Sequence, residues 1–145
     1  MRVMKLAVIG SGMIVNEFLS IVPYLNNIKI NGIYGRKKSY EKLNKIKKQN
    51  NIKNIFYNYE ELLKSDIDTV YICLPNNLHF EFSKKALEAN KNVIVEKPIT
   101  SNYKEAKILS DLARKRGLFI FEAITTLYLP NYLKMINYNI KCNTN

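Results

Sequence analysis

The sequence predicts an α/β fold, a doubly wound, mostly parallel sheet with helices on both faces (a Rossmann-type arrangement). Three observations carry this expectation. Short β-rich runs alternate with longer helical patterns along the 145 residues, the order that builds a parallel sheet covered by helices. Several of those runs are nearly continuous in apolar residues, as strands buried on both faces must be. The first run ends in a glycine turn, Gly10-Ser11-Gly12, placed between strand and helix.

In chain order, the first strand is expected at 4–9 and the first helix at 13–25. A second strand, 28–34, is followed by a helix at 39–49 whose Lys42, Lys45, Lys47 and Lys48 cluster on an exposed face. A short strand at 54–57 and a helix at 59–64 complete the first half. The apolar run Val70-Tyr71-Ile72-Cys73-Leu74 lies in the fourth strand, 69–74, and leads into a helix at 78–89 that Asn90 is suited to stop. Val93-Ile94-Val95 forms the body of the fifth strand, 92–95. The fifth helix, 102–116, has the clearest grammar. Asn102 with Glu105 three positions on is a variant capping box, Ala106, Leu109 and Ala113 mark an inward stripe, and Gly117 supplies a left-handed stop. A sixth strand at 118–122 closes the pattern.

A chain of this length buries a single core without help from disulfides or metals. Its 47% hydrophobic and 24% charged content lies in the ordinary globular range. Cys73 and Cys142 form neither a disulfide framework nor a metal-ligand cluster, and Cys73 reads as a small buried hydrophobe. No apolar stretch approaches the ~20 residues that span a bilayer, and no signal peptide is legible, so a cytoplasmic protein is expected. The net charge of +11 on its face points to a polyanion. Lysine, asparagine and isoleucine are the commonest residues, however, the bias of AT-rich coding, and the lysines are scattered. No aromatic-basic signature or helix-turn-helix accompanies them, so nucleic acid is not expected as a partner.

The turn after the first strand, Gly10-Ser11-Gly12-Met13-Ile14-Val15, carries two of the three glycines of the dinucleotide fingerprint, with Val15 at the third position. Gly10 permits the tight turn, and Gly12 lets the backbone approach a pyrophosphate. The helix beyond offers unpaired N–H groups and partial positive charge. At the end of the second strand an NAD site places an acid for the ribose hydroxyls, whereas here the chain reads Tyr34-Gly35-Arg36-Lys37-Lys38-Ser39. Gly35 leaves space, and Arg36, helped by Lys37 and Ser39, offers donors suited to a 2′-phosphate. NADP is therefore the expected cofactor, with NAD the alternative; the competing reading is a set of solvated charges opening a helix.

The fourth and fifth strands point their carboxyl ends into the same crevice. Leu74 and Pro75 form the exit of the fourth, and Asn76 is placed to hydrogen-bond the nicotinamide ribose. His79, the only histidine, reads equally as a site residue and as packing at a helix start. Lys97, between a strand end and Pro98, reads as a positioned cation rather than a surface lysine.

These segments, together with Pro75-Asn76-Asn77-Leu78-His79, Glu96-Lys97-Pro98, and Glu122-Ala123 followed by Tyr128-Leu129-Pro130, resemble the N-terminal domain of the Gfo/Idh/MocA oxidoreductases, relatives of glucose-fructose oxidoreductase and inositol dehydrogenase. The resemblance extends to about Tyr132 and rests most on Glu96-Lys97-Pro98. It implies that Lys97 assists hydride transfer, that Glu96 and Pro98 shape its loop, and that Asn76, Leu78 and His79 line the cofactor site. It implies a sugar or polyol substrate. Family members look like two-domain enzymes whose second domain supplies the substrate pocket. Residues 1–125 are thus expected to be the dinucleotide-binding domain. Residues 126–145 are expected to be the start of a linker or an aberrant, asparagine-rich tail, with no substrate domain encoded. The chain alone is expected to be inactive and to self-associate through Ile124, Leu127, Tyr128, Leu129 and Tyr132. The alternative reading is a non-catalytic dinucleotide-binding module or an inactive truncated product.

Overall fold

The computed structural model describes residues 3–142, with side chains described through residue 136. Six strands, β1 (Met4–Ile9), β2 (Ile28–Tyr34), β3 (Asn54–Phe56), β4 (Thr69–Ile72), β5 (Asn92–Glu96) and β6 (Ile120–Ala123), form one sheet in the order β3-β2-β1-β4-β5-β6. All five neighbouring pairs are parallel. The helices are α1 (Met13–Ile21), α2 (Tyr40–Gln49), α3 (Tyr59–Lys64), α4 (His79–Glu88), α5 (Tyr103–Arg116) and α6 (Pro130–Cys142).

Strand alternation divides the core in two. Ala7 and Ile9 of β1 and Val70 and Ile72 of β4 face a cluster closed by Leu62 of α3, Leu87 of α4 and Leu109 of α5. Leu6 and Val8 of β1 and Tyr71 of β4 face the opposite cluster, closed by Val15 and Leu19 of α1 and Leu43 and Ile46 of α2. The double winding expected from the sequence is therefore present, with β4 and the Leu6–Ile9 part of β1 buried.

The α5 grammar is realised. Asn102 Oδ1 accepts from the Glu105 amide at 3.0 Å, and Gly117 closes the helix in the left-handed region at φ +65°. Asn90, at φ +58°, does the same after α4. Several boundaries differ from the expectation, each for a local reason. The first helix stops at Ile21 and tightens into a 3-10 turn at Val22–Tyr24, because Pro23 has no N–H to continue the α-helical ladder. β4 ends at Ile72, where its partner β1 ends at Ile9. β6 lies two residues later than expected at its start, in register from Val93↔Ile120 to Glu96↔Ala123.

The largest difference is at the C-terminal end of the described region. A 3-10 turn, Thr125–Tyr128, and α6 occupy the stretch assigned to linker or tail. Pro130 is preorganised for the first helical position, and the good helix formers Leu133 and Met135 offset the asparagines. Leu127, Tyr128 and Leu129 are exposed, as the sequence reading of this strip required, while Ile124 and Tyr132 are half-buried. Phe119 and Phe121 add a second exposed pair on the edge strand, stacked with centroids 5.9 Å apart. The side chain of Cys142 lies outside the described residues.

Because one side chain satisfies an otherwise unpaired donor at the start of α5, Asn102→Ala should lower stability by about 1 kcal/mol. For a chain of this size that corresponds to a melting temperature about 3 °C lower, readable in a thermal or urea denaturation series.

Candidate functional site: a groove across the strand ends

Three strands meet at Gly10. Its amide donates to the Tyr34 carbonyl of β2 at 2.9 Å, and the Cys73 amide after β4 donates to the Ile9 carbonyl at 2.9 Å. Gly10 has φ +124°, and a Cβ placed there would lie 2.5 Å from the Cys73 carbonyl oxygen. Glycine is thus required twice over, by conformation and by the approach of backbone to backbone. Gly12 is different. Its φ of −77° is open to any residue, and a Cβ there meets nothing within 4 Å. The space beside it belongs to the groove. Gly12 is also the N-cap of α1, which has no side-chain cap and no acid in its first turn, so the helix start is left electropositive toward that space.

The groove has two adjoining parts. The first, about 330 Å³, is lined by the Gly10–Gly12 turn, Gly35, Arg36, Pro75 and Leu78 among others. The second, about 200 Å³, is lined by Ile14, Asn76, Glu96 and Lys97, and shares Cys73 and Leu74 with the first. Twelve of the expected site residues line one part or the other: Gly10, Ser11, Gly12, Ile14, Gly35, Arg36, Leu74, Pro75, Asn76, Leu78, Glu96 and Lys97. Three are not brought there. Met13 projects outward at 73% exposure, and Lys37 is exposed at the start of a 3-10 turn, Lys37–Ser39. His79 is fully buried. Ser39 does line the first part.

Gly35 serves the groove otherwise than its sequence reading held. A Cβ there would meet Leu43 Cδ1 at 2.9 Å, so the missing side chain makes room for α2, and Gly35 presents backbone to the groove. Three lining residues were missed. Phe82 lies one helical turn beyond Leu78 and shares its face; periodicity would have found it. Tyr34 packs with Phe82 and Tyr59 at centroid separations of 5.8 and 5.4 Å, forming an aromatic wall. Cys73 is partly buried, packed against the core on one side and lining the groove on the other. Desolvation pushes its thiol up to about 12, which keeps it protonated at neutral pH.

The loop that carries Lys97 is tied on several sides. The Tyr71 hydroxyl donates to Glu96 Oε1, the Ile99 amide donates to Glu122 Oε1 at 2.9 Å, and His79 Nδ1 lies 2.7 Å from the Pro98 carbonyl oxygen. The Lys97–Pro98 peptide is cis. Lys97 itself is exposed at the rim. Burial, followed by the hydrogen bond to Glu96, raises the Tyr71 hydroxyl, so it remains a donor. Among the described residues no group of three or more His, Cys, Asp or Glu side chains is disposed to hold a metal ion. No helix among them is long and apolar enough to cross a membrane.

A parallel sheet in this order, with a groove over the point where the winding reverses and an uncapped helix aimed at it, defines a dinucleotide-binding domain of the Rossmann type. Residues 4–123 match the model of the GFO_IDH_MocA oxidoreductase family, NAD-binding Rossmann fold, and the chain belongs to that family. It is 31% identical over 132 residues to scyllo-inositol 2-dehydrogenase (NADP(+)) IolU of Bacillus subtilis, covering 90% of this chain and 40% of that protein. It is 38% identical over 78 residues to D-xylose 1-dehydrogenase (NADP(+)) of Hypocrea jecorina, covering 53% of this chain and 20% of that one. Among solved structures it resembles KijD10, a 3-ketoreductase from Actinomadura kijaniata, in complex with NADP, with a TM-score of 0.88 and 27% identity. That match covers 97% of this chain and 44% of KijD10. The chain thus spans less than half the length of these relatives.

The two glycines separate fold from ligand. Gly10→Ala should cost more than about 2 kcal/mol of stability, because backbone must move. Gly12→Ala should fold within about 0.5 kcal/mol of the parent, since its neighbourhood is open. It should nonetheless bind a dinucleotide at least about tenfold more weakly, the added methyl filling the approach to a pyrophosphate. Denaturation midpoints and titration calorimetry on both variants check the contrast.

Proposed function

We propose that this chain is the cofactor-binding part of an oxidoreductase that transfers hydride between NADP(H) and the alcohol or carbonyl of a sugar or polyol. The observation that carries the reading is the pair of adjoining pockets that share Cys73 and Leu74, one lined by Arg36 and the other by Lys97, with the uncapped start of α1 beside them. The substrate names of IolU and of the xylose dehydrogenase support the sugar or polyol class. Since those matches cover only 40% and 20% of the relatives, the substrate and the activity are inferences about a longer enzyme. A protonated, unpaired thiol at Cys73 suits a reducing cytoplasm.

The residues present fit a phosphorylated dinucleotide. Gly12 and the α1 amides would receive the pyrophosphate. Arg36, with Ser39 beside it and no carboxylate at the end of β2, would take the 2′-phosphate through a charged donor fork. Asn76 and Glu96 would hold the hydroxyls of the far ribose. The nicotinamide, when bound, supplies or accepts the hydride. Lys97 would do the rest of the chemistry available in this chain. Its ammonium gives a proton to the carbonyl oxygen being reduced, takes it back in the reverse direction, and stabilises the charge developing on that oxygen. A second reading, a non-catalytic dinucleotide-binding module, is favoured by the exposure of Lys97, which leaves the nicotinamide end open to water.

NADPH should bind at least about tenfold more tightly than NADH, and Arg36→Ala should remove most of that margin, since a charge-assisted hydrogen bond contributes ~1.5–3 kcal/mol. Equal dissociation constants for the two cofactors in calorimetry would overturn the NADP assignment.

A polypeptide of these 145 residues should bind NADPH and yet show no saturable oxidation or reduction with ketoses or polyols. Holding a substrate at reacting distance contributes ~7–11 kcal/mol to rate, and an open rim provides none of it. In a full-length relative, Lys97→Met at the matching position should lower turnover far more than cofactor affinity, because the cation acts on transition-state charge. Stopped-flow absorbance of the reduced nicotinamide reads both. Turnover by the 145-residue chain, or an unchanged rate in the lysine variant, would refute these roles.

A further inference from the structure

We propose that His79 is a positioning residue that fixes the cofactor wall of the groove to the loop carrying Lys97, and makes no contact with the cofactor itself. The proposal rests on the reading that the groove holds a nicotinamide dinucleotide. The ring is fully buried. Its Nδ1 lies 2.7 Å from the Pro98 carbonyl oxygen and its Nε2 lies 2.8 Å from the Leu74 carbonyl oxygen. Both nitrogens thus face backbone carbonyl oxygens, with neither left for a ligand; a ring with one proton donates to one carbonyl only, and hydrogen bonds to both require a proton on each nitrogen.

The two carbonyls belong to the exits of neighbouring strands, β4 and β5. Leu74 is shared by both parts of the groove, and Pro98 directly follows Lys97. β4 and β5 are paired through Ile72↔Val95, and past that pair the ladder between them ends. The exits of the two strands then run on without the hydrogen bonds that set strand spacing. His79 takes over at this point. It is the first residue of α4, so its backbone is held by the helix, and its ring bridges one exit to the other. The other ties to the loop run elsewhere, from Glu96 to Tyr71 inside β4 and from Ile99 to Glu122 on β6. Among the described hydrogen bonds, the His79 bridge alone joins the Lys97 loop to Leu74.

An imidazole suits the task because it is flat and rigid and, with a proton on each nitrogen, donates on both sides. Leucine fills similar volume with no donor, and glutamine restores a donor at one point only.

The test uses the 145-residue chain and two probes: NADPH, which spans the groove, and adenosine 2′,5′-bisphosphate, which reaches the Arg36 end alone. In His79→Leu the bisphosphate should bind within about twofold of the parent, whereas NADPH should bind about tenfold more weakly. His79→Gln should recover part of the NADPH affinity. Amide exchange provides a second measurement in whichever variant folds: Lys97 and Ile99 should exchange at least about tenfold faster, with Val93 and Val95 unchanged. Equal weakening of both probes, no weakening of either, or unaltered exchange at Lys97 and Ile99 would overturn the positioning role. A parent chain that binds neither probe would overturn the dinucleotide reading and this proposal with it, so the two failures are distinguishable.

Discussion

The contact on which the rest of the structure depends is that of Gly10 against the Cys73 carbonyl. β1 lies at the centre of the sheet, and its two neighbours lead away in opposite directions through the winding. At the end of β1 the backbone must turn sharply into α1 while staying close enough to β4 for the Cys73 amide to reach Ile9. No side chain fits between them, since even a Cβ would lie 2.5 Å from the carbonyl oxygen. Once that approach is fixed, α1 and α2 close one face and α3, α4 and α5 the other. The groove is the space left where the two sets of connections part.

Polarity is distributed to match. The middle of the sheet is apolar on both faces and serves as a rigid platform. Chemistry is confined to the carboxyl ends of the strands, where backbone donors and a few charged groups face solvent. In the Arg36 half the charged lining has one sign, whereas Glu96 beside Lys97 gives the other half both signs. α1 begins with no acid in its first turn, and Arg36 stands at the end of β2 where an acid would repel a phosphate. An anion entering the Arg36 half therefore meets favourable partial charge. The net charge of +11 adds a general attraction, yet the lysines that produce it are spread over many elements, so selectivity comes from the placement of Arg36 rather than from the total.

Much of the fold was legible because the strands are buried on both faces and announce themselves as apolar runs. All six were found, as were the stops at Asn90 and Gly117, whose positive φ angles follow from residue type. Ends set by a neighbour were harder. β4 stops where β1 stops, and β6 takes its register from β5, facts that no local pattern records. The stretch expected to be linker or tail holds α6, whose asparagine-rich sequence gives no clear helical pattern. In the site, the tight turn at Gly10 follows from residue type, whereas the part Gly35 plays does not. Its missing Cβ could point to the groove or to α2, and only the packing of Leu43 decides. The two readings left open for His79 separate on the same kind of fact, since burial and bond partners are tertiary.

The two halves of the groove are held by different means, and this bears on how binding and chemistry are related. The half beside Arg36 is built from backbone turns and an aromatic wall of Tyr34, Tyr59 and Phe82, all supported directly by the core. Its shape follows once the sheet forms. The half beside Lys97 depends on side-chain ties to a loop, from Tyr71, His79 and Glu122 on three separate elements. Each such tie is a single interaction that one substitution removes, whereas no single side chain maintains the other half. Tight anchoring of the phosphates therefore places few demands on the reacting end. The geometry of Lys97 can vary through residues that touch neither cofactor nor substrate, while the cofactor continues to bind. Affinity measured on this chain reports mainly on the Arg36 half. The quality of the Lys97 half shows only in the difference between a full dinucleotide and its adenosine fragment.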